Sequence, residues 1–242
     1  MQHYFVKKEN NNFRFNYNDF HHVKDVMRLK NNDEIICIFE NKSFLCNILY
    51  TNNDYKINVI KELASDNELP IDIILYQALI KNDKFDLIIQ KACELGVKEI
   101  YPLVTSRSVV KIDKDNLNKK IMRYEKIVKE AAEQSTRLVC PSVNEPINIK
   151  DIEIDKDTLP IIAYEKDHNV FSLQSTLKDV KSYKKVAIVI GPEGGFSIEE
   201  ISMLLNKGFK EVSLGKRILR AETASFFAIS VISHYIEGVK DE

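Results

Sequence analysis

Apolar and polar positions alternate in short bursts near the start of the chain and in longer blocks after it. Glu34–Phe39, Ser43–Tyr50 and Tyr55–Ile60 are brief apolar-rich runs separated by the polar clusters Glu40–Lys42 and Thr51–Asp54. They predict strands joined by turns, the pattern of a small β-barrel. Between Asp19 and Leu29, the spacing of Phe20, Val23 and Met27 predicts a helix. Ser65–Pro70 is polar, closed by proline, and marks a linker. Beyond it Ile71–Ala78 predicts a buried strand. A helix opened by Asp83 follows, with Phe85, Ile88, Ile89, Ala92 and Leu95 on one face and a stop at Gly96; Val97–Val104 then returns as a strand. This order implies a parallel pair with a right-handed crossover. A long helix follows from about Asn116 to Thr136. Leu159–Tyr164, Lys185–Ile190 and Glu211–Leu214 predict three more strands, and Lys166–Ser182 is polar with one short helix. The closing helix, Glu222–Glu237, sets Ala224, Phe227, Ala228, Val231, Ile232 and Tyr235 along a broad apolar face. The chain therefore divides into a β-rich part, residues 1–68, and an α/β part with a parallel sheet, residues 71–242.

Candidate chemistry lies where two of those strands end. Ile190-Gly-Pro-Glu-Gly-Gly-Phe-Ser197 follows a β-branched run, and Ser197 with Glu200 spells a capping box, so the glycine loop joins a strand's carboxyl end to a helix start. Ligands of open α/β sheets bind there. Gly191, Gly194 and Gly195 allow positive φ and close approach of a ligand to the backbone; the alternative is a tight connection that needs glycine for geometry alone. Leu214-Gly-Lys-Arg-Ile-Leu-Arg-Ala-Glu-Thr-Ala224 repeats the arrangement after the strand ending at Leu214 and adds Arg217, Arg220, Glu222 and Thr223. Two such loops suggest one pocket.

As a pair, the motifs at Gly191–Ser197 and Leu214–Ala224 resemble the signature of the ribosomal small-subunit RNA methyltransferase E family. These are SPOUT-class enzymes that methylate N3 of one uridine, uracil-1498, in 16S rRNA. The resemblance covers nearly the whole chain. It implies S-adenosylmethionine as cofactor, a C-terminal α/β trefoil knot that forms the pocket, a homodimer, and an N-terminal PUA-like RNA-binding β-barrel. It also implies three cofactor-binding loops. The first ends the strand Leu159–Tyr164, at Ala163, Tyr164 and Glu165. The second holds Ile190, Gly191, Pro192, Glu193, Gly194 and Gly195. The third holds Leu214, Gly215, Ile218, Leu219 and Arg220, with Thr223 and Ala224 at the following helix. For RNA the candidates are His22, Lys24 or Arg28 within the family-like His21-His22-Val23 and Val26-Met27-Arg28, the alternative there being a solvated helix face, together with Arg107, and Gln134 and Arg137 after Glu130-Ala-Ala-Glu133. His3 departs from the family's usual arginine and Thr136 from its usual glycine. Lys84-Phe-Asp86 through Glu94-Leu-Gly96 is also similar to the family, although amphipathic packing explains most of that stretch.

For methyl transfer to uridine N3, the imide proton must leave and the ring's negative charge must be stabilised. Arg220, planar and always charged, suits that anion or a phosphate. Glu222 is the carboxylate of the motif and the candidate base; its alternatives are a charge at a helix start or an ion pair with Arg217 or Arg220. The target uridine must be unpaired or flipped out.

Charge and composition narrow this picture. The formal net charge of −1 over 242 residues argues against coating nucleic acid by charge alone. Between Arg107 and Arg137, however, nine basic residues stand against five acidic ones, an excess of four, which suggests either a phosphate-facing surface or a solvated helix with pairs such as Glu125 and Lys129. Four cysteines without CxxC spacing suggest reduced thiols, and His21 and His22 point apart on a helix, so no metal is expected. No signal peptide and no run of ~18 apolar residues is seen, which predicts a cytoplasmic protein away from membranes. The partner implied is 16S rRNA in the small ribosomal subunit. Three alternatives stay open: a SPOUT ribose 2'-O-methyltransferase, a non-catalytic RNA-binding ribosome-assembly factor, and a phosphate-binding module at the Gly191 loop.

Overall fold

The structure, a computed structural model, describes residues 1–238 apart from 53, 109, 111–115 and 165–170. The chain forms two compact units, Met1–Glu68 with Ala132–Val139, and Leu69–Ala131 with Cys140–Glu242. No described helix is long and apolar enough to cross a membrane.

The first unit contains β1 (His3–Phe5), β2 (Lys7–Glu9), β3 (Asn12–Arg14), α1 (Tyr17–His21), β4 (Glu34–Phe39), β5 (Lys42–Tyr50) and β6 (Tyr55–Leu63). Its sheet runs β1-β4-β5-β6, with β1 parallel to β4 and the rest antiparallel, while β2 and β3 pair separately. The three runs read as strands are β4 to β6. Strands β1 to β3 have three residues each, too few to show a period of two. Tyr4, Phe13, Phe15, Val23, Ile35 and Ile48 fill the core. The helix expected over Asp19–Leu29 starts earlier, because Asn16 caps it by accepting from the Asp19 N–H at 2.8 Å. It then widens into a π turn over His22–Val26, with Met27 N–H bonded to His22 O. The wider turn rotates later residues off the buried face. Val23 is buried as expected, but Met27 is 38% exposed.

The second unit begins with β7 (Asp72–Ala78), α2 (Asn82–Glu94), β8 (Val97–Val104), α3 (Leu117–Gln134), β9 (Ser142–Val143) and β10 (Ile147–Asn148). It continues with β11 (Thr158–Ala163), β12 (Phe171–Ser172), α4 (Leu173–Thr176), β13 (Lys185–Ile190), α5 (Ile198–Asn206), β14 (Lys210–Ser213) and α6 (Ala221–Glu237). The described strands form one sheet in the order β10-β8-β7-β13-β11-β14-β12, with β9 also on β8, and every pairing is parallel. β7, β11 and β13 are buried along nearly their whole length, as a sheet covered on both faces requires. On α2 the expected face is fully buried at Phe85, Ile88, Ile89 and Ala92. Gly96 ends the turn after it at φ +91°, where a Cβ would meet Leu69 Cδ1 at 2.5 Å. On α6 the buried row is Ala221, Ser225, Ala228, Ile229, Ile232, Ser233 and Ile236. Ala228 and Ile232 were read as apolar face, but Phe227 is 43% exposed, because the row facing the core includes two serines that an apolar pattern skips.

The segment read as a linker holds a turn. Ala132–Val139, the last turn of α3 and the residues after it, clusters with the N-terminal unit. Arg137 N–H bonds Ala132 O at 2.9 Å and Thr136 N–H points to Glu133 O at 3.4 Å, a Schellman closure with Thr136 at φ +59°. Asn67 Nδ2 donates to Thr136 O and Oγ1, at 2.8 and 3.0 Å, and the Glu68 carboxylate accepts from the Leu138 and Val139 N–H groups. A β-branched residue in the left-handed region costs about 1–3 kcal/mol. Thr136→Gly keeps the bond from Asn67 to the carbonyl and removes that strain, so it is expected to stabilise the protein by about 1 kcal/mol in a thermal or urea melt. A lowered midpoint would show that the Asn67 bond to Oγ1 outweighs the backbone.

Candidate active site

Parallel pairing brings the three loops together. β13, β11 and β14 are neighbours, with Ile162 beside both Val189 and Glu211 and Ala163 beside Val212, so the three strands end at one edge. Beyond that edge lies a cleft of ≈ 510 Å³. Ala163 and Tyr164 line it from the first loop, and Ile190, Gly191, Pro192, Glu193, Gly194 and Gly195 from the second. Leu214, Ile218, Leu219, Arg220 and Ala224 line it from the third. Glu165 lies outside the described residues. Gly215 and Thr223 do not line the cleft; Gly215 turns the chain just after β14 at φ +122°, and Thr223 is exposed on α6. Arg107, expected at RNA, lines the cleft too, as do Phe196 and Ala221.

The glycine loop is braced from outside. The capping box forms as read: Glu200 N–H donates to Ser197 Oγ at 3.2 Å, and Ser197 N–H to Glu200 Oε2 at 2.8 Å. Glu200 is only 6% exposed, and its Oε1 accepts from Ser106 N–H at 2.7 Å. Next to that tie, Arg107 Nη1 donates to Gly194 O at 3.1 Å. A Cβ on Gly194 would meet Arg107 Cβ at 3.2 Å, and one on Gly191 would meet the Phe196 ring at 2.9 Å. Both glycines thus make room for side chains of this protein, and Gly195 takes the positive φ, +66°.

Arg220 is exposed, extended at φ −65° and ψ 154°, and stands at the N-cap of α6. Glu222, one turn inside, does not line the cleft; its Oε1 lies 3.0 Å from Lys84 Nζ. Burial pushes its carboxyl up, but its own backbone N–H and the Lys84 ammonium outweigh that and hold it below the usual carboxylate value. A depressed folded-state pKa makes the pair stabilising above the ordinary carboxylate range, and that stabilisation is lost as pH falls through the lowered value. The ion pair that Glu222 forms is thus with Lys84, while the Arg220 charge adds to the lowering. Lys84 also stands 3.9 Å from Glu193 Oε1.

The residues expected at RNA have different surroundings. Arg28 and Gln134 are exposed. His22 is half-buried, with Nδ1 3.0 Å from Tyr4 Oη. Arg137 is corrected: it is 4% exposed, and its guanidinium meets Glu68 at 2.6 Å instead of solvent. His3 pairs along β1, and burial, then the terminal ammonium, lowers its pKa, so it carries little charge for a phosphate at neutral pH. Among the described residues no cluster of three His, Cys, Asp or Glu side chains has metal-holding geometry. Sequence reasoning missed Lys84, Phe196, Ala221 and the second duty of Glu200. For Lys84 the only signal was its place in the motif before the amphipathic face of α2.

Comparison with known proteins finds two family domains in the chain. The RNA methyltransferase domain family matches residues 67–233, and the RNA methyltransferase PUA domain family matches residues 16–59. The Ribosomal RNA small subunit methyltransferase E of Mesomycoplasma hyopneumoniae is 35% identical over 95% of this chain and 98% of its own. That of Bacillus subtilis is 34% identical over the full length of both chains. Two solved structures each cover 97% of this chain and 97% of their own, with a TM-score of 0.84. One is a putative methyltransferase from Legionella pneumophila in complex with bound SAM, at 30% identity. The other is a Ribosomal RNA small subunit methyltransferase E from Neisseria gonorrhoeae bound to S-adenosyl methionine, at 26% identity.

Glu200→Gln tests the brace. An amide presents an N–H₂ to one of two backbone N–H donors that now share a carboxylate, so one buried donor loses its acceptor. Urea denaturation is expected to show a loss of about 1–3 kcal/mol; an unchanged midpoint would mean that the Ser106 tie holds nothing.

Proposed function

Because the chain belongs to the ribosomal RNA small subunit methyltransferase E family, we propose that it transfers a methyl group from S-adenosylmethionine to N3 of a uridine, uracil-1498, in the 16S rRNA of the small ribosomal subunit. The observation that carries this reading is the single cleft at the carboxyl ends of β11, β13 and β14, with Arg220 on its wall.

The residues present fit the cofactor. A volume of ≈ 510 Å³ lies within the usual range for small-molecule sites. Ile190, Leu214, Ile218, Leu219 and Ala224 offer apolar walls for a nucleoside and a thioether-like chain. Ile190 ends β13, and Gly191, Gly195, Leu214 and Leu219 lie in the loops beyond β13 and β14, so the backbone of both loops borders the cleft. When bound, S-adenosylmethionine supplies an electrophilic methyl group on a sulfonium. The protein's own part is orientation and charge. The loops hold the reactants in line. Arg220 stabilises the negative charge that develops on the uracil ring as the N3 proton leaves. Glu222, paired with Lys84 and outside the cleft wall, has an electrostatic role in this reading and does not take the proton.

Three further expectations belong to it. The C-terminal unit is a trefoil-knotted SPOUT domain, supported by the three cleft loops that the family resemblance anticipates. The active form is a homodimer, supported by the outward row of α6, where Phe227 is 43% exposed and Val231 and Tyr235 are only partly covered. RNA is met by Arg28, Gln134 and His22 on the N-terminal unit and by Arg107, a set that works in the cytoplasm on folded subunits and whose cationic members make binding salt-dependent.

Purified small ribosomal subunits with labelled S-adenosylmethionine provide the test, the product being identified by nucleoside analysis. N3-methyluridine is expected, and Arg220→Ala should lower kcat on the order of 10²-fold. A ribose-methylated nucleoside would place the protein with the 2'-O-methyltransferases, and cofactor binding without transfer would favour an assembly factor.

A further inference from the structure

Lys84 lies on the first turn of α2, behind the cleft and not on its wall. Its ammonium stands between two carboxylates from different loops: Glu222 Oε1 at 3.0 Å, at the start of α6, and Glu193 Oε1 at 3.9 Å, in the glycine loop. The two carboxylates come from different loops: Glu193 lines the cleft beside Gly194, and Glu222, itself off the lining, follows Arg220 and Ala221, which line it. The three side chains differ in exposure, 28% for Lys84, 16% for Glu222 and 38% for Glu193. The Glu222 end is the more sheltered, and Glu222 Oε2 is buried with no hydrogen-bond partner among the described residues. A sheltered carboxylate leans on its nearest cation, because removing that cation would leave a poorly compensated charge. Lys84 is therefore anchored to α6, with the Glu193 carboxylate of the glycine loop within ion-pair distance.

Resting on the methyltransferase reading, we infer that Lys84 is a positioning residue: it couples the glycine loop to the Arg220 loop through Glu193 and Glu222, and so sets the spacing of the two walls that seat the cofactor. Among the described residues no other side-chain ion pair joins these two loops, whereas the Arg107 and Glu200 braces act on the glycine loop alone. Lysine suits the task, since three donors on a flexible stem serve two carboxylates at once.

A cycle of Lys84→Met, Glu193→Gln and the double variant separates this role from a plain stabilising ion pair with Glu222. The measurement is the dissociation constant of S-adenosylmethionine by isothermal titration calorimetry on the full-length protein, with KM for the cofactor and kcat read separately. Lys84→Met is expected to weaken cofactor binding about tenfold and Glu193→Gln about threefold, with the double variant no weaker than Lys84→Met alone. Lys84→Arg should restore most of the affinity, and the loss should appear in KM for the cofactor more than in kcat. Glu193→Gln, which removes only the partly exposed partner, keeps the test open if Lys84→Met folds poorly. A Glu193→Gln protein that binds as the wild type does, or losses that simply add in the double variant, would overturn the inference and leave the methyltransferase reading intact. A wild-type protein without measurable affinity for S-adenosylmethionine would overturn both.

Discussion

The candidate site depends on one constraint: parallel strands that lie side by side end at the same edge of a sheet. β13 sits next to β11, and β11 next to β14, although Lys185–Ile190 comes between the other two in sequence. Three connections that begin 27 and 24 residues apart in the chain, at Ala163, Ile190 and Leu214, therefore open onto one cleft. Buried isoleucine and valine on both faces hold that order, because sliding any strand would expose apolar surface on one side or the other.

Around this edge the protein uses charge to hold backbone. Glu200 satisfies the start of α5 and the Ser106 N–H with one carboxylate, and Glu68 does the same in the N-terminal unit for Leu138 N–H, Val139 N–H and Arg137. In each case one carboxylate, buried at Glu200 and partly exposed at Glu68, accepts from main-chain donors. Such bonds to charged groups are stronger than neutral ones and position loops that apolar contacts alone would leave loose. Lys84 extends the same device to two carboxylates at once, and Arg107 ties the glycine loop through its Gly194 carbonyl.

What was legible in the sequence followed from short-range physics. Short apolar runs gave β4 to β8, β11, β13 and β14, the apolar spacing gave the buried face of α2, and Ser197 with Glu200 gave the capping box, because each is set by residues within a few positions of one another. The paired motifs at Gly191 and Leu214 pointed to one pocket, and the loops that carry them do line one cleft. Elsewhere local reading fell short: the π turn at His22 depends on i to i+5 bonding that leaves no pattern in the side chains, and the buried row of α6 contains Ser233 and Ser225, whose hydroxyl donates to the Ala221 carbonyl.

By itself, then, the sequence determined the α/β character of the chain, the extent of its main elements and the residue types gathered in its motifs, since these follow from backbone preference and the burial of apolar side chains at fixed spacing. Only the tertiary structure decided which partner each charge meets. Arg137 turned to Glu68 and not to solvent, Glu222 to Lys84 and not to Arg220, and Arg107 to the glycine loop. Those choices join residues 69, 138 and 87 positions apart, and an ion pair over such separations is set by the fold that brings the charges together, which no local pattern encodes.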